Sequence, residues 1–358
     1  KRILLSCIAL CSVVLSVMAQ RNYTFNAAAL NVDGLPNSIL GISINPDGKE
    51  AAGATELCGI LANSGWDIVG FSEDFNFHDY LVAAPASNYY NFGAHGGKVS
   101  STSNSTDGLG FACNKRFTMS GGDKTEWNTL YGGSGLTSVG DNGADGMIDK
   151  GFRMYTVTLA TGVSGDVYVL HMDANTADSD DDYDSNGRDK NIVAREAQLK
   201  QVADYIKNNH NNRPVIVLGD TNCRYTREKL KELLIDEINK DARFTIKDAW
   251  VELIWGGTYP TYGSGAMMTH EYGMQKGEIV DKVFYINTTE SNLTLKANSY
   301  LNDESVKVSD HTPIVVNFTL TDPNGTPEDV ELEGLALIKK GVAQFQIVYT
   351  GEAGAEGI

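Results

Sequence analysis

The chain is short of positive charge. Its 29 lysines and arginines stand against 46 aspartates and glutamates, for a formal net charge of −17. Binding along a nucleic-acid backbone needs cations set against phosphates. Here the basic residues are scattered and the dense clusters, such as 178–184, are acidic. Nucleic acid is therefore disfavoured as a partner, and a local basic cleft would be needed to admit it. Cysteine is scarce too, with five in 358 residues. Cys7 and Cys11 lie in the N-terminal apolar run, and Cys58, Cys113 and Cys223 are neither even in number nor spaced as zinc ligands. A disulfide framework and a zinc module are excluded. Cys113 and Cys223 fall in apolar, strand-like runs and read as buried thiols, with one disulfide left open in an oxidising compartment. After the first twenty or so residues no apolar run approaches a membrane span in length. Internal repeats are absent as well.

The N-terminus differs from the rest. Lys1 and Arg2 precede an apolar run, 3–17, of the size of a signal h-region and short for a membrane anchor. Val17-Met18-Ala19 then suits a signal peptidase. The reading is a signal peptide over 1–19 and a secreted or periplasmic product. Residues 20–320 are expected to form the catalytic domain. Thr321-Asp-Pro-Asn-Gly-Thr-Pro327 is turn-rich, so 321–358 is expected to be a linker and an appendage too small to fold alone.

Apolar, β-rich runs bounded by Gly, Asn or Asp recur at 23–31, 67–71, 109–113, 153–160, 167–172, 215–218, 279–286 and 313–320, and read as strands. Helical periodicity appears at 51–64 and most strongly at 191–208, where Val193, Ala197, Val202 and Ile206 fall near one face. A third helix is expected over 226–239, with Thr226 as its N-cap. Two stretches rich in Gly, Asp and Ser, 93–108 and 120–151, read as long surface loops.

Residues able to do chemistry recur at the ends of the apolar runs, where a side chain can be held rigidly while facing a cleft. Asn31 closes the first strand in Asn31-Val-Asp33-Gly-Leu-Pro36, although Asn-x-Asp-Gly is also an ordinary turn. Glu73, just beyond 67–71, suits a hard cation. His171 and Asp173 lie two apart on a strand and so on one side of it. Gly219-Asp220-Thr-Asn222 follows the run 215–218. If that segment is extended, Asp220 and Asn222 share a face, one for a proton or a metal-bound oxygen, the other for a phosphoryl oxygen. Asp281 is a charge inside an apolar run and is costly unless paired. In Ser309-Asp310-His311, Asp310 can reach a metal while His311 serves as a base, with Asp281 to fix its tautomer.

In this order and at these approximate spacings the six motifs resemble the endonuclease/exonuclease/phosphatase superfamily. Asn31-Val-Asp-Gly-Leu35 is similar to the opening motif of apurinic endonucleases. The resemblance runs from Asn31 to Pro313 and excludes the tail. Ser72 stands where a Gln commonly precedes the metal-binding Glu, and Thr221 where an aromatic is usual. Neither position carries chemistry. Glu73-Asp-Phe-Asn-Phe-His78 looks like a longer motif of a secreted microbial subgroup, which brings His78 to the cleft or leaves it on a surface helix.

The resemblance implies an α+β fold, a two-sheet β-sandwich flanked by helices in four layers. It implies Mg²⁺ or Mn²⁺ held by Glu73 with Asn31 and Asp310. His311, oriented by Asp281, would activate water, while Asn222 and His171 stabilise phosphoryl charge and Asp220 orients the water or passes a proton. His171 as the acid for the leaving group is an equal alternative. Asp33, His78, Arg153 and Asp173 are further candidates for substrate contact. A separate feature, Asp182-Tyr-Asp184-Ser-Asn186-Gly187, matches the first half of a calcium loop, but Val193 falls where the loop's Glu is required. Structural Ca²⁺ and a solvated acidic loop both remain open. The expected substrate is a phosphodiester or phosphomonoester, first a phospholipid headgroup or a small phosphorylated molecule. A non-specific secreted endonuclease and a non-catalytic binding protein on the same fold are the alternatives.

Overall fold

Strand β1 (Arg21–Asn31) shows how the layers arise. Its side chains alternate with the two-residue period of a strand. Ala27 and Ala29 enter one core, while Ala28 and Leu30 enter another. The computed structural model describes residues 20–100, 106–131, 148–175, 183–325, 333–339 and 342–348. The expected signal peptide, 1–19, lies outside them, as does Asp182. The other strands are β2 (Ser38–Ile39), β3 (Ile42–Ser43), β4 (Ile68–Ser72), β5 (Tyr90–Phe92), β6 (Gly110–Asn114), β7 (Thr118–Glu126), β8 (Gly151–Ala160) and β9 (Val163–His171). They continue as β10 (Val215–Asp220), β11 (Phe244–Asp248), β12 (Asp281–Thr288), β13 (Thr294–Asn302), β14 (Ile314–Asp322), β15 (Glu333–Lys339) and β16 (Val342–Val348).

Two six-stranded sheets result, ordered β13-β14-β1-β4-β6-β5 and β11-β12-β10-β9-β8-β7. One apolar core lies between them, with Ala27, Ile68 and Phe111 from the first and Tyr155, Val169 and Leu218 from the second. Small residues set the spacing: a Cβ on Gly70 of β4 would run into the side chains of Leu218 and Val169. The outer face of the second sheet packs Tyr168, Val217 and Phe284 with Leu199, Val202 and Ile206 of the helix Lys190–Asn209. The outer face of the first packs Leu30 and Phe71 with Leu57 and Leu61 of the helix Glu50–Ser64. This is the four-layered α+β sandwich expected. Residues Tyr23–Leu320 make one compact unit, and in the other the described hairpin pairs β15 with β16. Cys58, Cys113 and Cys223 are buried free thiols. No helix among the described residues is long and apolar enough to cross a membrane.

Three local expectations are corrected. The helix after β10 begins at Lys231, not at Thr226. Thr226 is no N-cap, because its hydroxyl donates to the buried carboxylate of Glu278 (2.6 Å). The stretch read as one loop, 120–151, begins inside β7. This edge strand contains Gly121-Gly122 and shifts register between Gly121 and Asp123. It pairs with β8 alone, so it lacks the apolar run of a central strand.

Arg195, fully buried on the helix Lys190–Asn209, ties the chain that leaves β9 to the chain that leaves β10. Its Nε donates to Glu228 (3.0 Å), and its Nη1 donates to the carbonyls of Asp173, Ala174 and Asn175. Removing one partner strands the other charge in a dry interior. Arg195→Met is expected to lower the unfolding free energy by about 3–5 kcal/mol in urea titrations. A loss below about 1 kcal/mol would show that this pair does not anchor the two segments.

Candidate active site

The register of the central strands brings the polar residues together. β1 and β4 run parallel, with Asn31 opposite Ser72. β9 and β10 also run parallel, with His171 opposite Asp220, and antiparallel β12 sets Asp281 on the other side of Asp220. Four carboxyl ends of strands and one amino end therefore meet at one edge of the sandwich. The Ser72 hydroxyl joins the sheets there: it donates to the Leu170 carbonyl and accepts from the Asp220 N–H, both at 3.2 Å.

Asn31 is buried, and its side-chain amide donates to Glu73 Oε1 (2.9 Å) and to Asp220 Oδ2 (3.1 Å). Glu73 follows β4 with φ of 58°, a left-handed turn that few non-glycine residues adopt. Burial pushes its carboxyl up to about 7, against the opposing hydrogen bond from Asn31. Burial pushes Asp220 upward as well. The imidazoles of His311 and His171 and hydrogen bonds from Asn222 and Asn31 outweigh it and hold that carboxyl below its ordinary value.

His171 is wholly buried, and neither ring nitrogen has a hydrogen-bond partner among the described residues. Burial, aided by the charge of Lys150, holds it well below the usual imidazole value. Its Nε2 lies 3.9 Å from Glu73 Oε1 and 3.8 Å from Asp220 Oδ2. Those separations are too long for hydrogen bonds. Unpaired buried polar atoms beside two carboxylates fit a bound cation or ligand. Ligand atoms of Glu73, His171 and Asp220 all lie within 4.8 Å of one another, as do those of Asp220, Asp281 and His311.

His311 presents Nδ1 to Asp281 Oδ2 at 2.5 Å and Nε2 towards Asp220 Oδ2 at 3.9 Å. Burial lowers its affinity for a proton, but the charge and hydrogen bond of Asp281, with Asp220 and Asp310 nearby, raise it well above the ordinary value. Asn222, at φ of 50°, donates its backbone N–H to Asp220 Oδ1 (2.8 Å) and its side-chain amide to the Met172 carbonyl (3.2 Å).

Comparison with solved structures is decisive for the fold. The human nocturnin catalytic domain is 16% identical with a TM-score of 0.54, over 84% of this chain and 97% of that one. Sphingomyelinase C from Streptomyces griseocarneus is 15% identical with a TM-score of 0.52, over 82% and 99%. An endonuclease/exonuclease/phosphatase protein from Bacteroides vulgatus is 16% identical with a TM-score of 0.51, over 83% and 98%. The chain has the endonuclease/exonuclease/phosphatase fold. In sequence, sphingomyelinases of Mycobacterium bovis and Mycobacterium tuberculosis are 34% identical over 176 residues, 47% of this chain and 30% of theirs. The match thus spans under a third of those relatives. No protein-family model matches.

Within this endonuclease/exonuclease/phosphatase fold the edge gathers Asn31, Glu73, His171, Asp220, Asn222, Asp281 and His311. Other expected residues behave differently. Asn31 turns its amide nitrogen to Glu73 and Asp220, and its oxygen accepts from the Asp33 N–H (3.0 Å). Asp310 is exposed, accepts from the Ser309 hydroxyl (3.1 Å), and belongs to neither ligand cluster. Asp220 takes the position expected of it. Asp33 sits by the rim, accepting from Asn45 at 2.5 Å.

Asp173 is not beside His171. β9 ends at His171, the alternation stops there, and Asp173 is buried against the Gln198 side chain and the Tyr131 N–H. Arg153 is likewise withdrawn: its guanidinium pairs with buried Asp107 at 2.8 Å and donates to the Gly122 carbonyl. His78 turns to Asp74 (2.7 Å) and stacks on His95, with ring centroids 3.9 Å apart. His95 has no nitrogen left for a ligand, since one faces the Asp74 carbonyl and the other accepts from the Gly97 N–H. Asp184 accepts from the N–H groups of Asn186 and Arg188, closing its own turn.

Sequence reasoning missed Lys150 and Ser72. Lys150 is buried, donates to the Met172 carbonyl (3.0 Å) and acts electrostatically on Glu73 and His171. The one sequence signal was a lysine directly abutting the strand at 153–160.

Because His311 gains proton affinity on folding, its contribution to stability is complete below its unfolded value and is lost as pH rises through the folded one. In chelator-containing buffer, wild type should exceed Asp281→Asn in unfolding free energy by more at about pH 6 than at about pH 9. Urea titrations at the two pH values measure this, and an equal difference at both would show that the pair is not linked to protonation.

Proposed function

We propose that this protein is a divalent-metal-dependent phosphoesterase. The observation that carries the reading is the junction of two clusters through Asp220: Glu73–Asp220–His171 on one side and Asp220–His311–Asp281 on the other. Glu73 and Asp220 supply hard oxygen ligands suited to Mg²⁺ or Mn²⁺, and the unpaired Nε2 of His171 lies 3.9 and 3.8 Å from them. When bound, the ion supplies positive charge to a phosphoryl group and its leaving oxygen.

The chain's own residues divide the remaining work. Asp281 holds the His311 tautomer and leaves Nε2 on the cleft side, where the ring in its deprotonated form takes a proton from the attacking water. Asp220, between the two imidazoles, orients that water. Asn222 and the neutral His171 ring donate to phosphoryl oxygens as charge builds on them. Asn31 keeps the two carboxylates in place. The substrate class is a small phosphoester or a phospholipid headgroup. The acidic charge and the partial match to mycobacterial sphingomyelinases support this over a nuclease.

Chelation should abolish turnover, and Mg²⁺ or Mn²⁺ should restore it. His311→Ala should lower kcat by about 10²–10⁴-fold with folding intact. Asp281→Asn should act in the same direction, and the double variant should be little worse than His311→Ala alone, since the two act as one unit. Activity that survives both chelation and His311→Ala would end the proposal. A panel of bis-p-nitrophenyl phosphate, p-nitrophenyl phosphate, sphingomyelin, inositol phosphates and plasmid DNA ranks the substrates. Plasmid nicking alone would make the protein a nuclease.

A further inference from the structure

Beside His311 the cleft deepens into a cavity of about 250 Å³ lined by Arg224, Met268, Met274, Val280, Asp281 and Asp310, among others. Arg224 lies two residues beyond Asn222, and its backbone N–H is held by Glu228 Oε2 (2.7 Å). Among the described residues its guanidinium makes no hydrogen bond or ion pair, and its Nε is buried without a partner. The arginines elsewhere are different. Arg116, Arg153, Arg195, Arg213 and Arg227 each hold a carboxylate within 3.1 Å. A guanidinium without a partner in a partly apolar cavity is costly, and its planar fork suits a carboxylate or phosphate.

The acids in the same cavity do not satisfy it. Asp281 is engaged by His311, Glu278 by the Tyr225 N–H and the Thr226 N–H and hydroxyl, and Asp310 by Ser309. The methionines and Val280 offer room for carbon skeleton between the reacting centre and the charge.

We propose that Arg224 is a specificity-determining residue: it binds a second negative charge on the substrate, separate from the phosphoryl group attacked. The substrate is thereby an anionic phosphoester, and a cationic headgroup such as a quaternary ammonium is disfavoured. This rests on the phosphoesterase reading and narrows it.

The test uses the full chain with Mg²⁺ and three p-nitrophenyl phosphodiesters whose second arm is carboxyethyl, propyl or choline. Wild type should show the highest kcat/KM on the carboxyethyl arm and the lowest on choline. R224Q should lose about 10–100-fold on the carboxyethyl arm, the worth of a charge-assisted hydrogen bond, and less than about threefold on the others. R224K, which keeps charge but loses the fork, should retain the order with a smaller spread. An equal loss on all three substrates would place Arg224 on the reacting phosphate or in the fold and overturn the proposal, as would no loss. Should R224Q fail to fold, an unchanged spread in R224K overturns it. If wild type cleaves none of the three, the phosphodiesterase form of the reading fails, and calorimetric binding decides this one. Tighter binding of the carboxyethyl diester than of the choline diester, present in wild type and absent in R224Q or reduced in R224K, supports it. Equal binding overturns it.

Discussion

One side-chain amide holds the cleft together. Asn31, at the end of β1, donates to Glu73 on its own sheet and to Asp220 on the facing one. Two carboxylates this close repel each other, and burial raises the cost of each charge. A neutral double donor eases both penalties without adding a counter-charge that would compete with a cation. The Ser72 hydroxyl does the same for the backbone, bridging Leu170 and Asp220 across the gap between sheets. The small residues Ala27, Ala29 and Gly70 on the inner face let the sheets approach closely enough for such short side chains to reach.

The electrostatics follow from that closeness. Glu73 and His171 are both pushed towards neutrality by burial, while His311 is drawn towards its charged form by Asp281 and Asp220. Two histidines on either side of one aspartate are thus pulled in opposite directions. Opposite environments for like groups are what separate acid, base and hydrogen-bond donor in a hydrolytic centre. The unpaired nitrogens of His171 are costly in isolation, and that local cost is what a preorganised ligand site carries.

Arg195 and Glu228 extend the same logic outward. Their buried pair braces the segments after β9 and β10, and Glu228 also fixes the backbone at Arg224. The edge that carries the polar residues is therefore supported from behind by charge pairs as well as by apolar packing. Arg153 and Asp107 form a second such pair. Substituting phosphate for Asp107 as the partner of Arg153 would leave a buried carboxylate alone, which explains why a plausible substrate contact is a structural one.

Continuous apolar runs such as 215–218 mark central strands because both faces of those strands are buried, and the helix at 191–208 shows an apolar stripe because one face is. Asn31, Glu73, His171, Asp220, Asp281 and His311 were legible as polar residues at the ends of those runs. Edge strand β7, with its paired glycines, carries no such pattern and was not. Nor was the fate of Asp173 and Arg153, because alternation says which side a residue takes only while the strand lasts, and says nothing of the partner waiting there. Sequence by itself thus determined the strands, the helices and the set of candidate residues, since burial imposes a local pattern on the chain, while the sandwich came from the resemblance of its motifs. Only the tertiary structure decided that Asn31 bridges carboxylates, that Asp310 lies outside the ligand clusters of the described residues, and that Arg224 lines a cavity without a partner among them. Those outcomes depend on contacts between residues 42 to 189 positions apart, which no local period encodes.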